Sequence, residues 1–256
     1  MSDRFRDKTA VVTGGGSGLG RAMALAFAAE GARVCVIGRR QEKLDETAAL
    51  APSGSIFGLC ADVRDAQRVE AVAGEIVERT GSIDVLVNNA AGNFIVPSEQ
   101  LSPNGFKSVV DIVLLGTFHC TRFAFDALRA SRGAILNIVA TYAWSGEPGV
   151  LHSASAKAGV LAMTRTLAAE WGRYGIRANA IAPGPIHTEG TDKNLWGAGV
   201  DEAVRKEIPL GRLGSPEDVA RAALWLCSDE ASWVSGATLC VDGAHWLHGG
   251  TLDFLR

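Results

Sequence analysis

The amino-acid sequence predicts an α/β fold in which a doubly wound sheet of about seven parallel strands carries helices on both faces. Two observations support this expectation. Short apolar runs rich in β-branched residues alternate along the chain with longer stretches of helical periodicity. The chain has 256 residues, 47% of them hydrophobic, so it can bury a large core, and it contains no repeat, low-complexity tract or linker. We therefore expect a single domain that spans residues 1–256.

The apolar runs have the length and composition of buried parallel strands, which lack the alternation of half-buried strands. The stretches between them are amphipathic, and residues 21–30 are an example. There Met23 and Phe27 can face the sheet while Arg21 and Glu30 stay in water. The predicted strands are residues 9–13, 33–37, 55–60, 85–88, 134–139, 177–181 and 238–241.

Composition excludes several classes of partner. The formal net charge of −3 and the pI near 6.0 give no overall attraction to nucleic acid or to an anionic membrane. Five scattered cysteines form no C-x-x-C pair, so we expect no metal site and small buried thiols in a reducing compartment. The charged start of the chain and the lack of a long apolar run argue against a signal peptide and a membrane span. We expect a cytoplasmic protein.

The first predicted strand runs directly into a glycine-rich turn that is followed by an alanine-rich helix. Gly14, Gly18 and Gly20 permit a tight turn, a close approach to a pyrophosphate and close packing of helix on strand. Glycine-rich turns also serve plain packing, but the position between the first strand and the first helix favours dinucleotide binding in a Rossmann-type sheet. The expected contacts are Gly14, Gly16, Ser17, Gly18, Leu19 and Gly20.

The end of the second strand indicates which dinucleotide binds. An NAD-binding protein would place Asp or Glu there to hold the ribose hydroxyls, whereas this chain has Gly38 followed by Arg39 and Arg40. The two arginines can pair with a 2′-phosphate, so we expect NADPH as the cofactor. The alternative is that both arginines merely begin a charged, exposed helix.

Three later strand ends supply the remaining expected cofactor contacts. Asp62 follows the third strand beside Val63 and is placed to accept from the adenine amino group. Asn89 follows the fourth strand and would line the far ribose, although asparagine is also a common turn residue. The turn after the sixth strand would meet the nicotinamide amide through backbone groups, a role that a merely rigid turn would mimic in sequence. Its residues are Pro183, Gly184, Pro185 and Ile186.

The stretch from Tyr142 to Lys157 carries the expected chemistry. Ser153 precedes Lys157 by one helical turn and shares its face, whereas the nearest tyrosine lies fifteen residues upstream of the lysine. Two glycines and a proline between Tyr142 and Ser153 argue against a continuous helix, so the acid and the lysine must meet across a loop. The alternatives are that Ser153 bonds its own helix backbone and that Tyr142 is an aromatic edge of the pocket.

Together these residues resemble the short-chain dehydrogenase/reductase family over essentially the whole chain. The glycine turn, the Asn-Asn-Ala segment, the lysine and the Pro-Gly-Pro-Ile turn appear in the family's order. Common members carry tyrosine four residues before the lysine, serine at the end of the fifth strand and asparagine in the preceding helix. This chain has Ser153, Ala140 and Val113 at those places, so the resemblance does not imply a standard ketoreductase.

With these departures the chain is similar to the 2,4-dienoyl-CoA reductase branch of that family. In that branch the acid is a tyrosine at the position of Tyr142, assisted by an asparagine at the position of Asn93. The resemblance also implies that Arg64, Phe94 and Ser102 contact an acyl-CoA substrate. The segments that carry it are residues 88–94, 101–104, 141–142 and 153–157.

The resemblance implies NADPH-dependent reduction of a 2,4-dienoyl-CoA to a 3-enoyl-CoA, an auxiliary step in the oxidation of unsaturated fatty acids, by a homotetramer. Lys157 would hold the nicotinamide ribose, and Tyr142 and Asn93 would stabilise the dienolate. Ser153, the fourth residue of the expected catalytic set, would bond the ribose, the nicotinamide or the substrate. Two alternatives stay open: a reductase of the same architecture acting on another conjugated or carbonyl substrate, and a cofactor-binding protein without turnover.

One segment breaks the alternation of strands and helices. Residues 188–209 are long, polar and contain Trp196, which is typical of a substrate lid and equally of a disordered surface loop. A further CoA-binding arginine of eukaryotic members of the branch falls near Asn194, where Lys193 offers only a point charge. We expect His152 to be a pocket wall rather than a proton carrier.

Overall fold

The computed structural model describes residues 3–187 and 200–247, and within them the chain forms one sheet of seven parallel strands. The strands lie in the order β3-β2-β1-β4-β5-β6-β7. Six of the seven lie within a residue of their predicted ends, and β6 continues two residues further, to Pro183. The strands are β1 Thr9–Thr13, β2 Arg33–Gly38, β3 Ile56–Cys60, β4 Val85–Asn88, β5 Ala134–Ile138, β6 Arg177–Pro183 and β7 Thr238–Val241.

Helices cover both faces of the sheet, as expected for parallel strands joined by crossovers. The helix that follows β4 changes to a π-helix at Asp111–Leu115 before it continues as an α-helix. The α-helices are α1 Gly18–Ala29, α2 Gln41–Ala49, α3 Ala66–Thr80, α4 Pro103–Val110, α5 Gly116–Phe123, α6 Phe125–Ser131, α7 Tyr142–Ser145, α8 Leu151–Trp171, α9 Val200–Glu207 and α10 Pro216–Cys227. Short 3₁₀ turns occupy Ser98–Gln100, Gly172–Tyr174, Asp229–Ala231 and His245–Leu247.

Successive residues of each central strand enter opposite layers of the core. In β1, Ala10 and Val12 pack with α1 and α10, whereas Val11 packs on the other side with α3 and α8. Both faces of β1 are therefore apolar, which explains why the sequence shows a continuous run rather than an alternation. Burial of these side chains is the main stabilising contribution to the sheet.

The strand order reverses between β1 and β4, the neighbours at the centre of the sheet. The chain leaves β1 toward β2 and β3 on one side, and leaves β4 toward β5, β6 and β7 on the other. Connections that diverge in this way leave a crevice at the carboxyl ends of the strands, which is where ligands bind in open α/β sheets. The turn after β1 and the loop after β4 form its floor.

Two expectations about individual side chains were wrong. Arg21 is half-buried because its guanidinium reaches back to the Gly16 carbonyl at 2.6 Å, and Glu30 is half-buried in an ion pair with Arg4. Cys60 is exposed at the end of β3 instead of buried, because its strand lies at the sheet edge. Arg21 therefore braces the glycine turn from the side of α1.

Most of the predicted lid lies outside the described residues. Residues 188–199, including Lys193, Asn194 and Trp196, belong to that part, and the described remainder of the segment forms α9. No single helix in the described ranges is long and apolar enough to cross a bilayer. One pair of helical stretches, Pro103–Phe123 and Phe125–Ser131, reaches that length together but bends by 54° between its halves.

Candidate active site

A cleft of about 670 Å³ opens at the carboxyl ends of the strands, above the crevice between β1 and β4. It is lined by most of the residues that the sequence predicts to bind the cofactor or to take part in catalysis. These are Gly14, Gly16, Ser17, Gly18, Leu19, Arg39, Arg40, Asp62, Val63, Asn89, Asn93, Tyr142, Ser153, Lys157, Pro183, Gly184, Pro185 and Ile186. The nominated residues that do not line it are Gly20, Arg64, Phe94 and Ser102.

The glycine turn has a shape that side chains would destroy. Gly14 has φ +67°, a conformation that residues with a Cβ rarely adopt. A Cβ on Gly20 would lie 2.3 Å from the Gly14 carbonyl oxygen, so α1 can pack this close to the turn only with glycine there. The turn is tied to the loop after β4, because Thr13 Oγ1 accepts from the backbone N–H groups of Asn89 and Ala90, each at 2.9 Å. The result is a cradle at the N-terminus of α1 that suits a pyrophosphate.

The end of β2 presents three cations to the cleft. Arg39 and Arg40 line it and form no ion pair among the described residues, so both guanidinium groups are available to an anion. The third cation, Lys43, was missed by the sequence reasoning although it lies in the first turn of α2. Its ammonium group pairs with Glu46 at 2.6 Å, so it is less available than the arginines.

Asp62 and Arg64 form one ion pair, although the sequence assigned them to different ligands. The Arg64 guanidinium contacts both carboxylate oxygens of Asp62, and its Nη2 lies 2.6 Å from Oδ2. This hydrogen bond holds the pKa of Asp62 below its usual value. This carboxylate in the wall of the cleft is thus ionised and already oriented by the arginine.

Tyr142 and Ser153 meet across a loop. Tyr142 begins the four-residue helix α7, and Ser153 lies in the first turn of α8; between them Gly146 and Gly149 have φ values of +72° and +81°. The Tyr142 hydroxyl lies 3.1 Å from Ser153 Oγ. Burial raises the pKa of Tyr142, and the hydrogen bond to Ser153 opposes that shift. The phenol is therefore protonated at neutral pH and able to donate.

The short helix α7 has a second support on its outer side. The indole of Trp144 makes an edge contact with the indole of Trp246, with 5.6 Å between ring centroids. Trp246 is itself held by the Asp242 carboxylate, which accepts from its backbone N–H at 2.9 Å. The segment after β7 therefore braces the helix that carries Tyr142.

Lys157 lies one helical turn beyond Ser153 and is buried in the cleft wall. Its ammonium group donates to the Ile138 carbonyl oxygen at 2.5 Å. Burial lowers the pKa of Lys157 to about 8, because no carboxylate among the described residues pairs with it. The Ile138 carbonyl was not foreseen, since a backbone group at a strand end leaves no signal in the sequence.

Asn93 enters the cleft from the loop that follows β4. Its Oδ1 accepts from the backbone N–H of Phe94 at 2.9 Å, so the amide NH₂ is the end left to donate. The loop is fixed to the loop before α8 by a hydrogen bond from Val96 N to the Gly149 carbonyl oxygen at 3.0 Å. The segment thus brings an amide donor into the cleft that Tyr142 also lines.

Two residues that the resemblance predicts to contact the substrate also make structural contacts within the protein. Ser102 caps α4 by accepting from Gly105 N at 3.1 Å. Phe94 is 38% exposed, and a Cβ on Gly105 would lie 3.3 Å from its ring, so the ring packs on the first turn of α4. Both lie beyond the lining of the cleft, and their contact with a substrate stays a prediction.

Two of the three positions that depart from common family members carry apolar side chains. Val113 is buried within the π-helix, and Ala140 lies in the cleft wall. Neither can donate to a carbonyl oxygen. Across the described residues, no group of three or more His, Cys, Asp or Glu side chains could hold a metal ion.

A buried polar network beneath the cleft was also missed. Asn137 Oδ1 accepts from Asn88 Nδ2 at 2.9 Å, and Asn137 Nδ2 donates to Thr164 Oγ1 at 2.8 Å. These side chains tie the carboxyl ends of β4 and β5 to α8 and so fix the spacing of the loops above. Asparagine inside an apolar strand was the signal available in the sequence.

The sequence and the fold are similar to those of known proteins over most of the chain. A family model described as enoyl-(acyl carrier protein) reductase matches residues 14–244. The "Probable 2,4-dienoyl-CoA reductase [(2E)-enoyl-CoA-producing]" of Bacillus subtilis is 48% identical over 235 residues, which cover 90% of this chain and 92% of that protein. The "Peroxisomal 2,4-dienoyl-CoA reductase [(3E)-enoyl-CoA-producing]" of Arabidopsis thaliana is 40% identical, covering 93% and 84%. A crystal structure of a short chain dehydrogenase from Bacillus anthracis superimposes with a TM-score of 0.88 at 48% identity, covering 95% and 98%.

The glycine cradle, the parallel sheet and these matches define the class: the chain belongs to the short-chain dehydrogenase/reductase family of oxidoreductases, which use a nicotinamide cofactor. Within that family its relatives include proteins named 2,4-dienoyl-CoA reductases. The resemblance inferred from the displaced tyrosine is therefore confirmed.

The buried cation leads to a stability prediction. Replacing Lys157 with Met should raise the free energy of unfolding at pH 7 by roughly 1–3 kcal/mol, because burial disfavours the charged lysine in the folded state. The folded pKa is depressed, so the folded protein releases this proton before the unfolded chain does. The penalty is complete below pH 8 and is relieved as the pH rises from 8 toward 10.5.

Urea denaturation at pH 7 and pH 10 measures both parts of this prediction. Lys107→Met is the control, because that lysine is exposed and paired only with Asp111 one turn away. We expect the control to change stability by less than about 1 kcal/mol at either pH. A Lys157→Met variant less stable than the wild type at pH 7 would contradict the prediction.

Proposed function

We propose that the protein catalyses the NADPH-dependent reduction of a 2,4-dienoyl-CoA to a 3-enoyl-CoA. The observation that carries the proposal is the arrangement of donors in one cleft: the Tyr142 hydroxyl held by Ser153, the Asn93 amide, and the buried Lys157. Val113 and Ala140 supply no polar group at the places used by common carbonyl reductases of the family. The names of the relatives support the reduction of a 2,4-dienoyl-CoA.

The chemistry of a conjugated thioester explains why two donors are needed. Hydride addition at the distal δ-carbon pushes negative charge through the conjugated system onto the thioester oxygen. The barrier falls if hydrogen-bond donors already point at the position of that oxygen. Tyr142 and Asn93 would stabilise this dienolate, and Tyr142 need not give up its proton. A proton then reaches carbon, from water, to complete the product.

The cleft fits a nicotinamide dinucleotide. The cradle of Gly14 and Gly20 would be filled by any Cβ, and it faces the N-terminus of α1 as a pyrophosphate requires. Arg39 and Arg40 would hold a 2′-phosphate, and Lys157 the nicotinamide ribose. The bound cofactor supplies the hydride. The protein residues orient it, exclude water and hold the oxyanion.

The position of the added proton decides the product. Protonation of the dienolate at the α-carbon gives a 3-enoyl thioester, and protonation at the γ-carbon gives a 2-enoyl thioester. The names of the relatives differ on this point, since the Bacillus protein is called (2E)-enoyl-CoA-producing and the plant protein (3E)-enoyl-CoA-producing. We propose the 3-enoyl product, because the charge density of a dienolate is greatest at its α-carbon.

The proposal extends to partners and location. The proposed substrate is an acyl-CoA. The exposed side of the Arg64 guanidinium would contact it, while the opposite side pairs with Asp62. A homotetramer and a cytoplasmic location remain predictions, and the plant relative is peroxisomal by its name.

The rate of NADPH oxidation with three substrates tests the function directly. A short 2,4-dienoyl-CoA, a simple 2-enoyl-CoA and a 3-oxoacyl-CoA are compared side by side with the purified protein, and the product of the first is identified by its double-bond position. We expect turnover with the dienoyl thioester alone and a 3-enoyl product.

Other outcomes of this comparison are equally informative. A 2-enoyl product would keep the reductase and correct the site of protonation. Turnover with the 3-oxoacyl thioester would favour a carbonyl reductase, and tight NADPH binding without any turnover would favour a cofactor-binding protein.

The tyrosine is tested by Tyr142→Phe. We expect kcat to fall at least about tenfold, because a hydrogen bond made to the oxyanion in the transition state is lost, while NADPH affinity changes little. Steady-state kinetics give kcat, and the quenching of protein fluorescence gives the dissociation constant. Tyr174→Phe is the matched control, since that residue lies in the 3₁₀ turn before β6. Unchanged turnover of Tyr142→Phe would remove the tyrosine from the mechanism.

The cofactor preference is tested by Arg39→Ala. The variant should bind NADPH at least about tenfold more weakly and NADH almost as before, because only the 2′-phosphate needs the guanidinium. Titration with both nucleotides measures the two dissociation constants. Arg33→Ala is the control, since that residue begins β2 at the opposite end of the strand from the cleft. Equal weakening of both nucleotides by Arg39→Ala would refute the phosphate assignment.

A further inference from the structure

His152 is a buried histidine with few polar contacts. It lies in the first turn of α8 with no exposed surface, and within the described part of the chain neither ring nitrogen makes a well-formed hydrogen bond, although an interaction with the Val150 backbone acts on its pKa. Leaving buried polar atoms unpaired costs roughly 1–3 kcal/mol. Buried histidines usually have their nitrogens well bonded, so the packing contacts of this ring call for an explanation.

The ring of His152 is a packing surface for Phe94. The two ring centroids lie 4.3 Å apart, with 59° between the planes. Phe94 meets the first turn of α4 as well, because its ring lies 3.3 Å from the Cβ position of Gly105. The phenyl ring is therefore wedged between α4 and α8, although part of it is exposed.

The position of Phe94 sets the orientation of Asn93. The Phe94 backbone N–H donates to Asn93 Oδ1 at 2.9 Å, and this bond turns the NH₂ end of the amide away from its own backbone. A shift of Phe94 would release the amide, since the side chain of an asparagine rotates freely without such a bond. His152 thus contacts Phe94, and Phe94 in turn holds Asn93, a donor of the proposed oxyanion hole.

We propose that His152 is a positioning residue that holds Asn93 in place through Phe94. Its neighbour Ser153 holds Tyr142 by a direct hydrogen bond, so consecutive residues of α8 would position the two donors. This inference rests on the proposed function, because it assigns His152 to the transition state of that reaction. Burial lowers the pKa of His152, in keeping with an uncharged ring.

The first test compares two substitutions of the same residue. His152→Ala removes the packing surface and should lower kcat at least about tenfold, with the dissociation constant of NADPH changed less than about twofold. His152→Phe keeps a flat ring and removes the unpaired nitrogens. We expect it to keep kcat within about threefold of the wild type and to raise the melting temperature. Met163→Ala, a partly buried truncation on the same helix, is the control and should leave kcat unchanged.

The second test asks whether the effect passes through Asn93. In the Asn93→Ala background the donor is already absent, so adding His152→Ala should lower kcat by less than about twofold further. Multiplicative losses in the double variant would overturn the proposed route. An unchanged kcat in His152→Ala would overturn the inference altogether. A His152→Phe variant as slow as His152→Ala would show that the nitrogens take part, which also overturns a packing role, and this variant decides the matter even where His152→Ala does not fold.

The failure of this inference is distinguishable from failure of the proposed function. A wild-type protein that reduces no dienoyl thioester refutes the function, and the same variants are then measured on the substrate that it does reduce. Wild-type turnover of the dienoyl thioester with a normal rate in His152→Ala refutes only the role of His152.

Discussion

The hydrogen bond between Tyr142 and Ser153 is the interaction on which the arrangement of the site depends. It spans two helices that the chain separates with a glycine-containing loop. A tyrosine one turn before the lysine would have its place set by helix geometry, whereas this tyrosine has its place set by contacts. Ser153 on one side and Trp144 against Trp246 on the other supply them. The surrounding loops consequently help to position Tyr142 and do more than connect secondary-structure elements.

The electrostatics of the cleft follow from the same arrangement. Lys157 lies at the inner end of the cleft, and its ammonium group donates to a backbone carbonyl rather than to a carboxylate. A positive charge that the protein leaves uncompensated favours negative charge nearby. At the other end Arg39 and Arg40 form no ion pair within the described part of the chain, whereas Arg64 pairs with Asp62. The distribution of charge thus distinguishes an outer end with several arginines from an inner end with a buried lysine.

The sequence predicted the sheet almost residue by residue, because β1, β2 and β4 are buried on both faces and show as uninterrupted apolar runs. The cleft residues were also found, since glycines and polar residues at strand ends have few other reasons to be there. What the sequence did not reveal was specific to side-chain pairing in three dimensions. The partner of Arg64, the capping role of Ser102 and the Ile138 carbonyl that receives Lys157 depend on rotamers and on neighbours far along the chain. The exposed Cys60 was misjudged because composition does not reveal which strand forms the sheet edge.

The edge contact between Trp144 and Trp246 has a practical consequence for handling the protein. Trp246 belongs to the 3₁₀ turn His245–Leu247, and its indole touches the helix that begins with Tyr142. A substitution or insertion within this turn would alter a segment that supports the tyrosine. Arg4 and Phe5, by contrast, precede β1 at the opposite end of the strands. Changes to the protein are therefore better made before β1 than in the turn that contains Trp246.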